Sequence, residues 1–453
     1  MELPDVLERG ERSRLFPVLA DTSKEGRTLS IFLSCLQSVD EFGASILASI
    51  GQRPGTRARI ETYTEVVLKK GGEKAHRPDG LIVVKNGSKQ WMALVEAKVG
   101  GSELTPEQVE SYLELAKLNG IDAMLTLSNQ FASLPTHHPV PLSATARKKA
   151  ELFHCSWMFV VTQASLLVSN EQVASPDQRF LLNEMVRFLM HPSAGVKSFE
   201  QMPASWPELV SKVQTGAKLS ATSPDVREVA GAWHQEMRDL SLILSRQLST
   251  EVSTRISRTH AADPTARLRD AVVDLAKEEC LTGTLVVPAA ASPIDVCADL
   301  QKRSVTVSMK LKAPAERKGA KGRISWLLRQ IQRTDGRDIH LRLFWPGRAA
   351  DSQYPLALLR ENPDLPLTER PGLVVSSFEV LLVRDCGARF GQRRNFITEL
   401  EAAVPEFYEQ VGQYLKAWRA PPPRIPEGKT EPTSVDTAAL REAAEEAVAD
   451  QDD

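Results

Sequence analysis

The sequence lacks an excess of either charge, has few cysteines and contains no long hydrophobic run. Its 56 Lys and Arg stand against 58 Asp and Glu, a net charge of −2 that excludes a chain-wide basic coat for nucleic acid, so any such binding has to be local. No stretch approaches the roughly 20 apolar residues of a membrane span. The start, Met1-Glu2-Leu3-Pro4-Asp5, has no basic segment leading into an apolar run. The expectation is a cytoplasmic protein with no membrane partner. The five cysteines, Cys35, Cys155, Cys280, Cys297 and Cys386, are odd in number and scattered, which fits neither a disulfide framework nor a paired zinc knuckle. They read as reduced thiols. His137-His138 and His154-Cys155 match no standard zinc spacing and read as a loop and a strand. Lys318-Gly319-Ala320-Lys321-Gly322 lacks the Gly-Lys-Ser/Thr ending of a phosphate loop. No fixed-period repeat is present, which excludes solenoids and propellers.

What is there suits a globular protein of two or three domains: 453 residues, 42% hydrophobic and 25% charged. From about Thr28 to Ile50 the apolar positions keep helical spacing, with a break near Ser38-Val39-Asp40. Three short aliphatic runs, Ile60 to Leu68, Leu81 to Val84 and Trp91 to Val95, have the length and β-branched content of strands. Thr105-Pro106-Glu107-Gln108 then opens a helix, with Thr as cap and Pro at the first turn, and Gly120 closes it. Ala123 to Leu127 and Cys155 to Thr162 read as two more strands. This order of elements predicts an α/β sandwich.

Further along, Ser223-Pro224 opens a helix reaching toward Thr259, and Asp263-Pro264 opens another that Gly283 is expected to end. Strands at Thr284 to Val287, Val305 to Lys312, Ile339 to Phe344 and Val374 to Val383 follow, with helices at about Gly322 to Arg333 and Phe396 to Trp418. Their irregular alternation predicts an α+β domain. The expected division is 1–200 as a first domain, 201–262 as a helical linker and 263–420 as the α+β domain. Residues 421–453 are expected as a disordered acidic tail, because from Glu427 onward nine acids face two bases.

The chemistry is concentrated in Arg77-Pro78-Asp79-Gly80 and Val95-Glu96-Ala97-Lys98. Asn86-Gly87 between them is a hairpin signal. A loop from Asn86 to Lys89 pairs Lys85 with Gln90, and six residues back along each strand Asp79 stands opposite Glu96, with Cβ atoms about 5 Å apart. Lys98 projects from the same face as Glu96. Both faces of the hairpin are otherwise apolar: Leu81, Val83, Met92 and Leu94 on one, Ile82, Val84, Trp91, Ala93 and Val95 on the other. Such strands lie inside a covered sheet, where two opposed carboxylates need compensation. Mg²⁺ (or Mn²⁺) on Asp79 and Glu96 supplies it, with Lys98 as a fixed cation beside the reacting phosphate.

Pro78-Asp79 and Glu96-Ala97-Lys98, with helix-strand-strand-strand-helix-strand around them, resemble the PD-(D/E)XK phosphodiesterases of restriction-endonuclease-like fold. The resemblance covers roughly residues 28 to 162. It implies a metal-dependent nuclease with an αβββαβ core; nucleic acid is the expected substrate, DNA ahead of RNA, with repair, restriction and phage defence as open settings. It also implies an acid on the first helix completing the metal site, for which Glu41 is the best-placed match and Glu65 the fallback. Gln108 and Tyr112 resemble the Gln-x-x-x-Tyr element of RecB-like members, which implies contact with substrate or support of the active site. Gln108 is equally explained as the third residue of a capping box with Thr105, and Glu41 as a first-turn acid stabilised by the helix dipole.

A second candidate for binding is Lys302 to Arg348, where thirteen Lys and Arg meet three acids in company with Trp326, Phe344 and Trp345. Lys318, Lys321 and Arg323 are its expected phosphate contacts. Trp233, Met237, Leu240, Leu244 and Leu248 make one apolar helix face, which a homodimer would use if the chain itself left it open. The rival to the nuclease is a non-catalytic scaffold that binds nucleic acid or protein on the same fold.

Overall fold

The helical spacing between Thr28 and Ile50 belongs to two helices, because Val39 takes an extended backbone (φ −114°, ψ 103°) between them. A computed structural model describes residues 3–16, 24–55, 57–71 and 77–419. The acidic tail expected at 421–453 lies outside them. Helices α1 (Lys24–Ser38) and α2 (Asp40–Ser49) meet at a bend of 107°. Gly43 permits the corner: a Cβ there would stand 2.5 Å from the Leu36 carbonyl oxygen and 2.7 Å from Ile60 Cδ1.

The first sheet has six strands in spatial order: β1 (Leu7–Arg12), β2 (Arg59–Leu68), β3 (Gly80–Asn86), β4 (Lys89–Ala97), β5 (Ala123–Ser128) and β6 (Glu151–Ser156). Neighbours from β1 to β4 are antiparallel, whereas β5 and β6 run parallel to β4. A parallel step needs a crossover, and α3 (Pro106–Asn119) provides it between β4 and β5. The expected caps of α3 are present: the Thr105 hydroxyl accepts from Gln108 N–H, and Gly120 ends the helix at φ 66°. The hairpin register is also as expected, with Lys85 opposite Gln90 and Gly80 opposite Val95. Its two faces separate as the alternation requires. Ile82, Val84, Ala93 and Val95 pack with α1 and α2, while Leu81, Val83, Met92 and Leu94 pack with Val109, Tyr112 and Leu113 of α3.

One expected strand is corrected. Only Cys155 and Ser156 of the stretch Cys155 to Thr162 lie in β6, and Trp157 opens helix α4 (Trp157–Ser169). The Ser156 hydroxyl accepts from Phe159 N–H and caps it. The apolar run continues to Val168, too long for a short buried strand, and its all-round burial hides helical periodicity. Helix α5 (Pro176–Leu189), not anticipated, packs beside α1 and α4.

The remaining elements are α6 (Trp206–Gln214), α7 (Pro224–Leu248), the short β7 (Ser253–Thr254), α8 (Arg258–Ala262), α9 (Pro264–Glu278), β8 (Cys280–Val286), β9 (Ile294–Asp299), β10 (Ser304–Lys312), α10 (Ala320–Gln330), β11 (Ile339–Phe344), β12 (Ser352–Pro355), α11 (Leu356–Glu361), α12 (Leu365–Glu369), β13 (Ser377–Asp385) and α13 (Arg393–Gln410). The second sheet is antiparallel, in the order β12-β11-β13-β10-β9-β8-β7. Two expected helix ends move. Helix α7 stops at Ser249, in left-handed backbone at φ 50°, well short of Thr259. Glu279, also left-handed, ends α9; Gly283 falls inside β8, where a Cβ would stand 2.7 Å from Met237 Cε. The protein is thus a mixed α/β structure with one mixed and one antiparallel sheet, both flanked by helices.

The described residues up to Ala417 form one compact unit. The stretch 201–262, expected as a linker, contributes Trp206, Val210, Trp233 and Met237 to the largest core. Trp206 is fully buried, with its ring 4.7 Å from Phe396 and 5.4 Å from Phe390, and its indole N–H donates to the Phe390 carbonyl at 2.8 Å. Trp233, Met237, Leu240 and Leu244 are buried within their own chain, so this face of α7 is not left open for a second copy. All five cysteines are free. Among the described residues no single helix is long and apolar enough to cross a membrane.

Candidate active site

Gly80 and Val95 are the last pair of the β3–β4 ladder, so Asp79 and Glu96 face each other one step beyond it. By alternation both point to the α3 side of the sheet, as Leu81 and Leu94 do. Asp79, partly buried, accepts the Ala97 N–H through Oδ2 at 2.9 Å, which ties the two strand ends together. Glu96 is 1% exposed. Its Oε1 accepts from Lys98 Nζ at 2.7 Å and from Gln108 Nε2 at 2.6 Å, while its Oε2 is buried with no hydrogen-bond partner. The Gln108 side chain therefore does not close a capping box on Thr105; only its backbone N–H takes part in the cap. Gln108 also lies 3.4 Å from the Tyr112 hydroxyl, which donates to the Arg77 carbonyl at 3.0 Å and so anchors the segment leading into Asp79. Five predicted residues, Asp79, Glu96, Lys98, Gln108 and Tyr112, thus form one connected cluster.

The electrostatics follow from burying like charges together. Asp79 is pushed up to about 7, first by burial and then by the Glu96 carboxylate. For Lys98 burial opposes the charge, but the bond to Glu96 and the fields of Glu96, Glu25 and Asp79 outweigh it and raise the ammonium pKa. Burial, followed by the Glu96 charge, raises the Tyr112 phenol. Lys98 therefore stays charged while one carboxyl of the opposed pair sits near neutrality.

The structure does not bring Glu41 to this cluster. Its Oε1 accepts from Ala174 N–H, and it lines a different cavity with Gln37 and Arg59. Two other acids stand closer. Glu25, in the first turn of α1, places Oε2 3.7 Å from Lys98 Nζ, and its charge acts on Asp79. Glu65, the fallback, sits in β2 in left-handed backbone (φ 54°) and donates its N–H to the Asp79 carbonyl at 3.3 Å. Non-glycine residues held in that conformation cost on the order of 1–3 kcal/mol, and such strain collects at functional sites. Glu25 and Glu65 line a cavity of about 440 Å³ with Asp79, Arg9, Arg14 and Arg77. Arg9 and Arg77 have no carboxylate partner among the described residues, and Arg14 pairs with Glu11 at 3.2 Å. Sequence reading missed Glu25, although an acid in a first helical turn one turn ahead of Leu29 was a usable signal. It also missed β1, whose Leu-Glu-Arg-Gly-Glu-Arg has a single aliphatic residue.

A third row continues the cluster across the sheet. Thr126 of β5 is the parallel neighbour of Glu96, and its hydroxyl lies 3.0 Å from His138 Nε2 and 2.9 Å from His154 Nδ1. Burial is the main cause that lowers His138 to about 3 and His154 to about 4, so both rings are neutral. Among the described residues no three or more His, Cys, Asp or Glu side chains are grouped so as to hold a metal ion. The donors available to one are the Asp79 and Glu96 carboxylates, and the orphaned Glu96 Oε2 suits a hard cation that takes one or two carboxylates and completes its shell with water.

The basic segment is less concentrated in space than in sequence. Lys318 is exposed, but Lys321 pairs with Asp364 at 2.8 Å. Arg323 is spent on the carbonyls of Arg317 and Val375. Trp326 stacks on Phe378, and Trp345 is buried with its N–H on the Ser352 hydroxyl. The three expected phosphate contacts do not form one open patch, because Asp364 satisfies Lys321 and the carbonyls of Arg317 and Val375 satisfy Arg323. No protein-family model matches the chain, and no curated protein matches it.

Proposed function

We propose that the protein is a metal-dependent nuclease of the PD-(D/E)XK kind, with a restriction-endonuclease-like core formed by α1, β2, β3, β4, α3 and β5, and that it hydrolyses phosphodiester bonds with DNA as the first substrate to test. The observation that carries this reading is the opposed pair Asp79 and Glu96, with Glu96 buried, one of its oxygens unpartnered, and Lys98 beside it. Asp79 and Glu96 would hold Mg²⁺ or Mn²⁺, which when bound lowers the pKa of a water and offsets charge on the phosphate in an in-line displacement. Gln108 and Lys98 fix Glu96 through one oxygen, leaving the other without a hydrogen-bond partner. Lys98 keeps a positive charge near the attacked phosphate. Arg9 and Arg77, on the cavity that Asp79 lines, supply cations for the neighbouring phosphates of a strand.

A second reading, a non-catalytic nucleic-acid- or protein-binding scaffold, is favoured by one fact: Lys98 already neutralises Glu96 at 2.7 Å. Incubating the purified chain with single- and double-stranded DNA and RNA, in Mg²⁺, Mn²⁺ or chelator, separates the two. Cleavage that needs the metal and is lost in Asp79→Asn and Glu96→Gln supports the nuclease. Binding without cleavage under every condition leaves the scaffold.

A further inference from the structure

A cavity of about 880 Å³ opens on the polar face of the second sheet, beside α7 and α9. On the sheet side most of its charges are already matched. Lys302 pairs with Asp299 at 2.8 Å, Arg342 and Lys310 pair with Glu379 at 3.1 and 3.7 Å, and the Thr284 hydroxyl donates to Asp295 at 2.8 Å. The helical side differs. Arg267 of α9 is half-buried and donates to the Ser133 hydroxyl, and it has no carboxylate partner among the described residues. Burial alone pulls its guanidinium down to about 10.

His234 of α7 faces the same cavity and makes no hydrogen bond among the described residues. Burial, then the charges of Arg267, His260 and His137, lowers it to about 3, so its neutral ring has one N–H to donate. Arg255, exposed at the rim, is a second cation without a carboxylate partner. The acids on this side do not meet these groups: Asp270 pairs with His260 at 2.9 Å, and Asp274 is exposed on α9. A guanidinium taken out of water without a counter-charge is costly, and an anion in the cavity offsets that cost.

We propose that this cavity is a binding site for a small phosphate monoester of mononucleotide size, its phosphate held by Arg267 and His234 with Arg255 at the mouth. The volume falls in the range of about 300–1,000 Å³ used by small-ligand sites. A guanidinium offers paired donors to phosphate oxygens, and the neutral imidazole adds a third. The inference is independent of the nuclease reading, because none of these residues belongs to the Asp79 and Glu96 cluster.

Calorimetric titration of the full chain in EDTA with AMP, inorganic phosphate and adenosine tests it. Saturable binding of AMP, with none of adenosine, is expected; binding of inorganic phosphate without AMP would overturn the monoester and identify free phosphate as the occupant. Arg267→Gln should weaken AMP binding at least ten-fold, and Asp79→Asn should leave it unchanged. His234→Phe is the second variant, since it keeps the ring's bulk and removes its N–H, and the same direction of loss is expected. Equal heats from AMP and adenosine, wild-type affinity in both Arg267→Gln and His234→Phe, or loss of binding in Asp79→Asn would overturn the proposal.

Discussion

Asp79→Asn should stabilise the metal-free protein while abolishing its metal response. In the folded chain the Asp79 carboxyl stands at about 7 against an ordinary 3.8, so the native state holds its proton more tightly than the unfolded one. Above pH 7 the ionised group carries the full cost of burial beside Glu96; below 3.8 both states are protonated and the cost vanishes. The gap between the two values sets a ceiling of ~4 kcal/mol. Because Asp79 is partly open to solvent and shares its charge with Glu96, about 2 kcal/mol is the working figure. With an unfolding entropy of ~2.1 cal/mol/K per residue, that figure raises Tm by about 2 °C for a unit of this length. The amide oxygen of the variant can still accept the Ala97 N–H, so the strand ends stay tied. Differential scanning calorimetry in EDTA between pH 4 and 8 should show the advantage of Asp79→Asn growing with pH from near zero. Adding Mn²⁺ should raise the wild-type Tm and leave the variant where it was. A variant less stable than wild type at pH 8, or a difference independent of pH, would refute the electrostatic argument.

Lys98→Ala should lose cleavage and stability together, since it leaves Glu96 buried beside Asp79 with no cation; a loss of about 3 kcal/mol in urea unfolding is expected, and an unchanged midpoint would count against the pair. Gln108→Ala should lower cleavage about ten-fold by leaving Glu96 Oε1 held by Lys98 alone, with helix content by circular dichroism unchanged because the Thr105 cap uses only the backbone of residue 108. Trp206→Ala should cost about 3–5 kcal/mol by emptying the ring cluster with Phe390 and Phe396, and a small thermal shift would show that the core closes around the gap.

Much of the site was legible because its signals are local. The turn at Asn86-Gly87 sets the hairpin register, and a period of two then decides which residues stand opposite and on which face; Asp79, Glu96 and Lys98 follow from counting along two adjacent strands. Thr105, Pro106 and Gly120 define α3 by capping chemistry that involves only neighbouring residues. Helix α4 was misread for a related reason: Trp157 to Val161 has strand-like composition, and complete burial erases the polar face that distinguishes a helix.

The sequence by itself therefore determined the opposed carboxylates, the lysine beside them and the helix that brings Gln108 and Tyr112 within reach. Tertiary structure alone decided which further acid approaches. Glu41 and Glu25 both lie near the starts of adjoining helices, but the bend at Val39 sends α2 toward Ala174, whereas the start of α1 lies at Lys98. It also decided that the Gln108 side chain serves Glu96 rather than its own cap, that β1 brings Arg9 to the cavity beside Asp79, and that Arg267 has no acid partner among the described residues. Each of these depends on contacts between residues far apart in the chain, whose partners no periodicity or spacing encodes.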